Sequence, residues 1–93
     1  MLNLSGIYFS KENYTKAIEL YTTIQDSSIE RKDYNLAGTA CYYLALCLIR
    51  VNEVKKAKDS IQKGLHYWNE IENSSPLVEE AQKLLDYLNN PDQ

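Results

Sequence analysis

A chain of 93 residues has room for one hydrophobic core, and a formal charge of −3 without a cationic stripe disfavours nucleic acid as a partner. Its 44% hydrophobic and 25% charged residues are the usage of an ordinary globular domain, which excludes a disordered segment. The longest apolar run, Ala40 to Ile49, is too short for a membrane span, which needs about 20 residues, so none is expected.

The opening Met1-Leu2-Asn3-Leu4-Ser5 lacks the basic start and apolar stretch of a secretory leader, and a cytoplasmic location is the expectation. Apolar residues at i, i+3, i+4 and i+7 then predict five helices in chain order. The first runs from about Leu2 to Ser10 and the second from Asn13 or Tyr14 to about Glu30, with Tyr14, Ala17, Ile18, Tyr21 and Ile24 on its core face. A third runs from about Tyr34 to Arg50. Its centre is apolar all round, which marks a helix that is either enclosed or presents an apolar groove. A fourth is expected from about Glu53 to Glu72, with Val54, Ala57, Ile61, Gly64, Leu65, Trp68 and Ile71 as its core stripe. Its lysine cluster Lys55-Lys56-Ala57-Lys58 is broken by Asp59 and reads as a solvated face. The fifth runs from about Pro76 to Leu88, opened by the Ser75 hydroxyl and a proline in the first turn and closed by Asn89-Asn90-Pro91. Cys41 and Cys47, six apart in the third helix, point to different faces and read as reduced core thiols.

An internal repeat organises these helices. Sliding the chain by 40 residues sets Leu4 on Leu44 and Leu84, Tyr8 on Leu48 and Leu88, Ala17 on Ala57, Tyr14 on Val54 and Tyr21 on Ile61. The expected fold is therefore all-α, one domain over 1–93. It comprises a first repeat at about 1–33, a second at about 34–73 and a capping helix at about 76–89.

These residues resemble the tetratricopeptide repeats. Met1, Leu4-Ser5, Tyr8, Tyr14, Ala17, Tyr21 and Ile24 fill the family's positions in the first repeat; Cys41, Leu44-Ala45, Leu48, Val54, Ala57, Ile61 and Gly64 fill them in the second. Ala81, Leu84-Leu85 and Leu88 begin a third, incomplete copy. The family's usual period is shorter, and its Trp and closing Pro are missing here. A period near 40 looks like the helix pairs of the vesicle-fusion attachment proteins and of the peptide-pheromone-sensing regulators of Gram-positive bacteria. The resemblance implies a right-handed superhelical stack of antiparallel helix pairs whose concave surface binds a partner.

On that surface the expected contact residues are Tyr42, Leu46 and Ile49 of the third helix and Phe9 of the first, flanked by Gln82, Asp86 and Asn89 of the fifth. The family's chaperone-binding carboxylate clamp is disfavoured, because Leu2 and Gly6 stand where it needs Lys and Asn. Catalysis is not expected: His66 is the only imidazole, the two cysteines lack metal-ligand spacing, and the three glycines form no phosphate loop. No cofactor or metal is implied. Two functions remain: a scaffold or adaptor module that docks a protein or peptide segment in the apolar groove, or the ligand-binding part of a peptide-sensing bacterial regulator, with Asn35 and Asn52 bordering the third helix. A first helix with Leu2, Ile7 and Phe9 uncovered further predicts either a homodimer through that helix or a place in a longer array.

Overall fold

Three short turns of one design join the first four helices. A computed structural model describes residues 2–71 and 76–90, with side chains from Ser5 onward, as α1 (Leu2–Ser10), α2 (Tyr14–Glu30), α3 (Tyr34–Arg50), α4 (Val54–Asn69) and α5 (Leu77–Asn89), with no strand among the described residues. The positions expected of Met1, of the Leu2 and Leu4 side chains, of Glu72, of the Ser75 cap and of Pro91 lie outside what is described.

Glu12, Lys32 and Asn52, twenty residues apart, have φ of 60°, 60° and 62°. Each sits just past a helix end, where a left-handed residue lets the chain reverse. The amide of Glu12 donates to Phe9 O at 3.0 Å and that of Asn13 to Tyr8 O at 2.9 Å; Lys32 and Asp33 repeat the pair on Ile29 O and Ser28 O, and Asn52 and Glu53 on Ile49 O and Leu48 O. Those bonds satisfy carbonyls that the ended helix leaves open, offsetting a left-handed conformation that costs a non-glycine residue roughly 1–2 kcal/mol. The next residue then starts the following helix: Asn13 Oδ1 accepts from Lys16 N at 3.4 Å and Asp33 Oδ1 from Leu36 N at 3.2 Å. Turns this short make consecutive helices neighbours, and each of the four packs against the next.

Because each turn is the same, each helix enters the core in the same phase. Ala17, Tyr21, Ile24 and Ser28 of α2 are buried; so are Ala37, Cys41, Leu44 and Leu48 of α3, and Ala57, Ile61, Gly64 and Trp68 of α4. In α5 the same register gives Leu77, Ala81, Leu84 and Leu88, of which Ala81 and Leu88 are buried and the other two half-buried. The 40-residue repeat is thus two turns of a 20-residue register. Helix α3 buries Gly38, Ala40, Ala45 and Cys47 as well, since α2 packs on one side of it and α4 on the other, and this accounts for its apolar circumference.

Two expectations need correction. Helix α4 ends at Asn69 rather than Glu72, because the amides of Glu70 and Ile71 turn to Tyr67 O and Trp68 O three residues back, tightening the last turn. Val54, placed in the core stripe, is 40% exposed. Its counterparts Tyr14 and Tyr34 reach inward through their rings, Tyr14 edge-on to Phe9 at 5.5 Å and Tyr34 stacked on Tyr67 at 6.0 Å, a distance valine cannot span.

The α3–α4 contact is closer than alanine allows. A Cβ on Gly38 would lie 2.5 and 2.7 Å from Cε2 and Cδ1 of Trp68, and nearer still to Nε1. A Cβ on Gly64 would meet Cys41 Cβ at 3.0 Å and Gly38 O at 3.2 Å. Two side-chain bonds lock the crossing: Trp68 Nε1 donates to Asn35 O at 3.2 Å and Ser60 Oγ to Cys41 O at 2.9 Å.

Candidate interaction faces of the third helix

Packed between α2 and α4 and touched more lightly by α5, α3 has two opposite strips that its main neighbours cover less completely. One carries Leu44 and Leu48, each 9% exposed, on the floor of a groove of about 360 Å³ between α2 and α4. Thr22, Gln25 and Asp26 form its α2 wall; Lys56, Asp59, Ser60 and Lys63 form its α4 wall. Two residues along a helix is a rotation of about 200°, so Tyr42 and Leu46 face the other way from Leu44.

That second strip holds the expected contact residues. Tyr42, Leu46 and Ile49 are all half-buried. Tyr42 and Ile49 pack against the core, Tyr42 edge-on to Tyr43 at 5.4 Å, whereas Leu46 is partly exposed and does not join the packed cluster. Burial raises the Tyr42 phenol pKa, and the Glu80 carboxylate and the Tyr43 phenol add to the effect.

The other expected residues are placed differently. Phe9 is half-buried at the α1–α2 junction with its ring against Tyr14. Gln82, Asp86 and Asn89 are exposed, and Gln82 Nε2 donates to Asp86 Oδ1 at 3.3 Å. Gln82 and Asn89 stand about half a turn round α5 from Glu80, and Asp86 about a third. Asn35 and Asn52 have backbone work: Asn35 O accepts the Trp68 indole, and Asn52 is the left-handed turn residue. Ile7 is 50% exposed on α1. His66 is exposed, 3.9 Å from Glu70 and edge-on to Tyr67 at 6.0 Å.

Sequence reasoning passed over the groove walls, and Lys56 sits within the cluster it set aside. The available signal was spacing: Lys56, Asp59 and Lys63 recur at i, i+3 and i+7, one face of a helix.

Cys41 and Cys47 are buried and unbridged. Burial pushes their thiols up to about 12 and about 11, and the Tyr21 phenol up to about 12. A thiol raised this way is protonated at neutral pH and a poor nucleophile. All three groups are raised in the folded state, so the stability tied to their neutral forms is intact below their unfolded values and is lost as pH climbs toward the folded ones. The urea midpoint should therefore hold steady to about pH 8 and fall between about pH 9 and 12. A midpoint that stays flat to pH 11 would contradict the burial of these groups.

No family model, curated protein or solved structure matches the chain. No described helix is long and apolar enough to cross a membrane. Among the described residues no three His, Cys, Asp or Glu side chains are grouped to hold a metal ion.

Proposed function

We propose that this protein is an interaction module of the tetratricopeptide-like kind, binding a segment of another protein or a peptide along the Tyr42–Leu46–Ile49 strip of α3, without catalytic activity. The observation that carries the reading is Leu46: on the most enclosed helix of the fold, an apolar side chain is left partly exposed and outside the packed core. Covering it removes apolar surface from water at about 25 cal/mol per Å², a gain that a partner can supply and the fold does not. The helix stack supports this reading, since such stacks present side chains in a fixed array on rigid elements.

Leu46→Asp is the informative change. Tyr42 and Ile49 pack against the core and their loss mixes folding with binding, but Leu46 can be altered with the helicity and melting temperature unchanged. Quantitative mass spectrometry of proteins retained by wild type and by Leu46→Asp should show at least one partner enriched on the former and lost from the latter. Equal retention of every partner by a folded variant would sink the proposal.

A further inference from the structure

The groove on the opposite side of α3 has charged walls over an apolar floor, and it lies about half a turn round the helix from the proposed strip. Its α4 wall presents Lys56, Asp59 and Lys63, in the order plus, minus, plus, rising about 4.5 and then 6 Å along the helix axis. Asp59 and Lys63 have no ion pair among the described residues, and Lys56 has only exposed Glu53 at 4.0 Å. Across the groove, Asp26 also has none, with Thr22 and Gln25 beside it as hydrogen-bonding groups. These charges border the two leucines of the floor without closing an ion pair across the groove.

We infer that this groove is a second docking surface, and that its occupant is an amphipathic helix of a partner protein carrying an acid, a base and an acid along one edge at intervals of three and four residues. The spacing argues for a helix. An α-helix laid beside α4 advances the same 1.5 Å per residue, so each opposite charge meets its counterpart. An extended strand advances about 3.3 Å per residue and turns successive side chains to opposite faces, so it cannot set three charges on one edge at those steps. A leucine or similar side chain between the charged edge and the far edge would rest over the little of Leu44 and Leu48 that the fold leaves uncovered, and a base on the far edge would face Asp26. The pattern acts mainly on choice of partner and on association rate, because these charges are exposed and each pair contributes little affinity. A sequence with the opposite pattern meets three like-charge contacts and is rejected.

The experiment uses two synthetic helical peptides, one with Glu-x-x-Lys-x-x-x-Glu on the edge beside its leucines and one with Lys-x-x-Glu-x-x-x-Lys, their composition and net charge equalised by one Lys or Glu on the opposite face. Fluorescence anisotropy at low salt should show the first bound at least tenfold more tightly than the second. Amide shifts should fall on Thr22, Leu44, Leu48 and Lys63, and Leu46→Asp should leave them unchanged, which separates this surface from the strip proposed above. The charge-swapped variant K56E/D59K/K63E, or Asp59→Lys alone if the triple variant misfolds, should reverse or erase the preference. Equal binding of the two peptides, binding of neither, or a preference that survives the swap would overturn the inference.

Discussion

Trp68→Ala is expected to lower folding stability by about 3–5 kcal/mol, the range for deleting a buried aromatic side chain. Trp68 is 1% exposed, sits on the α3–α4 crossing and is the largest of the fully buried side chains. Truncation removes its apolar contacts, leaves a cavity facing Gly38, and takes the indole donor from Asn35 O. Against a total of roughly 5–15 kcal/mol for a domain of ordinary stability, that is a large fraction. Circular dichroism in urea measures it without needing the lost fluorophore. A midpoint within error of wild type would mean that the indole does not hold this crossing together.

Gly38→Ala should cost about 1–3 kcal/mol by itself, although alanine is the better helix former by about 0.5–1 kcal/mol. The two effects oppose each other, and geometry decides the sign: the new methyl would overlap the indole ring, which is buried and has no room to withdraw. The decisive measurement is the double variant. With Trp68 already reduced to alanine, the methyl enters the vacated space and only the propensity gain remains, so Gly38→Ala should become neutral or stabilising there. A coupling of at least about 1 kcal/mol between the two sites is expected from unfolding midpoints. Strict additivity would show that the cost at Gly38 arises elsewhere in α3.

The turns show where local sequence suffices and where it does not. Asp33 and Asn13 are ordinary capping residues that place helix starts correctly, and the apolar spacing of Ala17, Tyr21 and Ile24 marks the buried face of α2. Glu12 and Lys32 carry no local sign of a left-handed backbone, since neither is the glycine or asparagine that usually marks it. Their conformation comes from the helices on both sides, which must reverse within three residues to pack. The 20-residue register was present as Tyr14 over Tyr34 and Ala17 over Ala37 over Ala57, but the longer shift that pairs α1 with α3 and α5 obscures it.

The candidate faces divide in the same way. The apolar circumference of α3 could be read directly, and with it the candidacy of Tyr42, Leu46 and Ile49. Which α5 residue lies beside them could not, because that depends on how Ala81 and Leu88 set the rotation of α5 against its neighbours.

Periodicity and capping chemistry by themselves determined the five helices, their order and most of their inward faces, because these depend on contacts within a few residues along the chain. Only the tertiary structure decided that Gly38 must lack a side chain, that Lys56, Asp59 and Lys63 share a groove with Asp26, and that Leu46 stays outside the packed cluster while Ile49 joins it. Each of these depends on how separate helices pack, as the Trp68 ring against Gly38 and the closeness of Gly64 to Cys41 do between α3 and α4, and no local pattern encodes it.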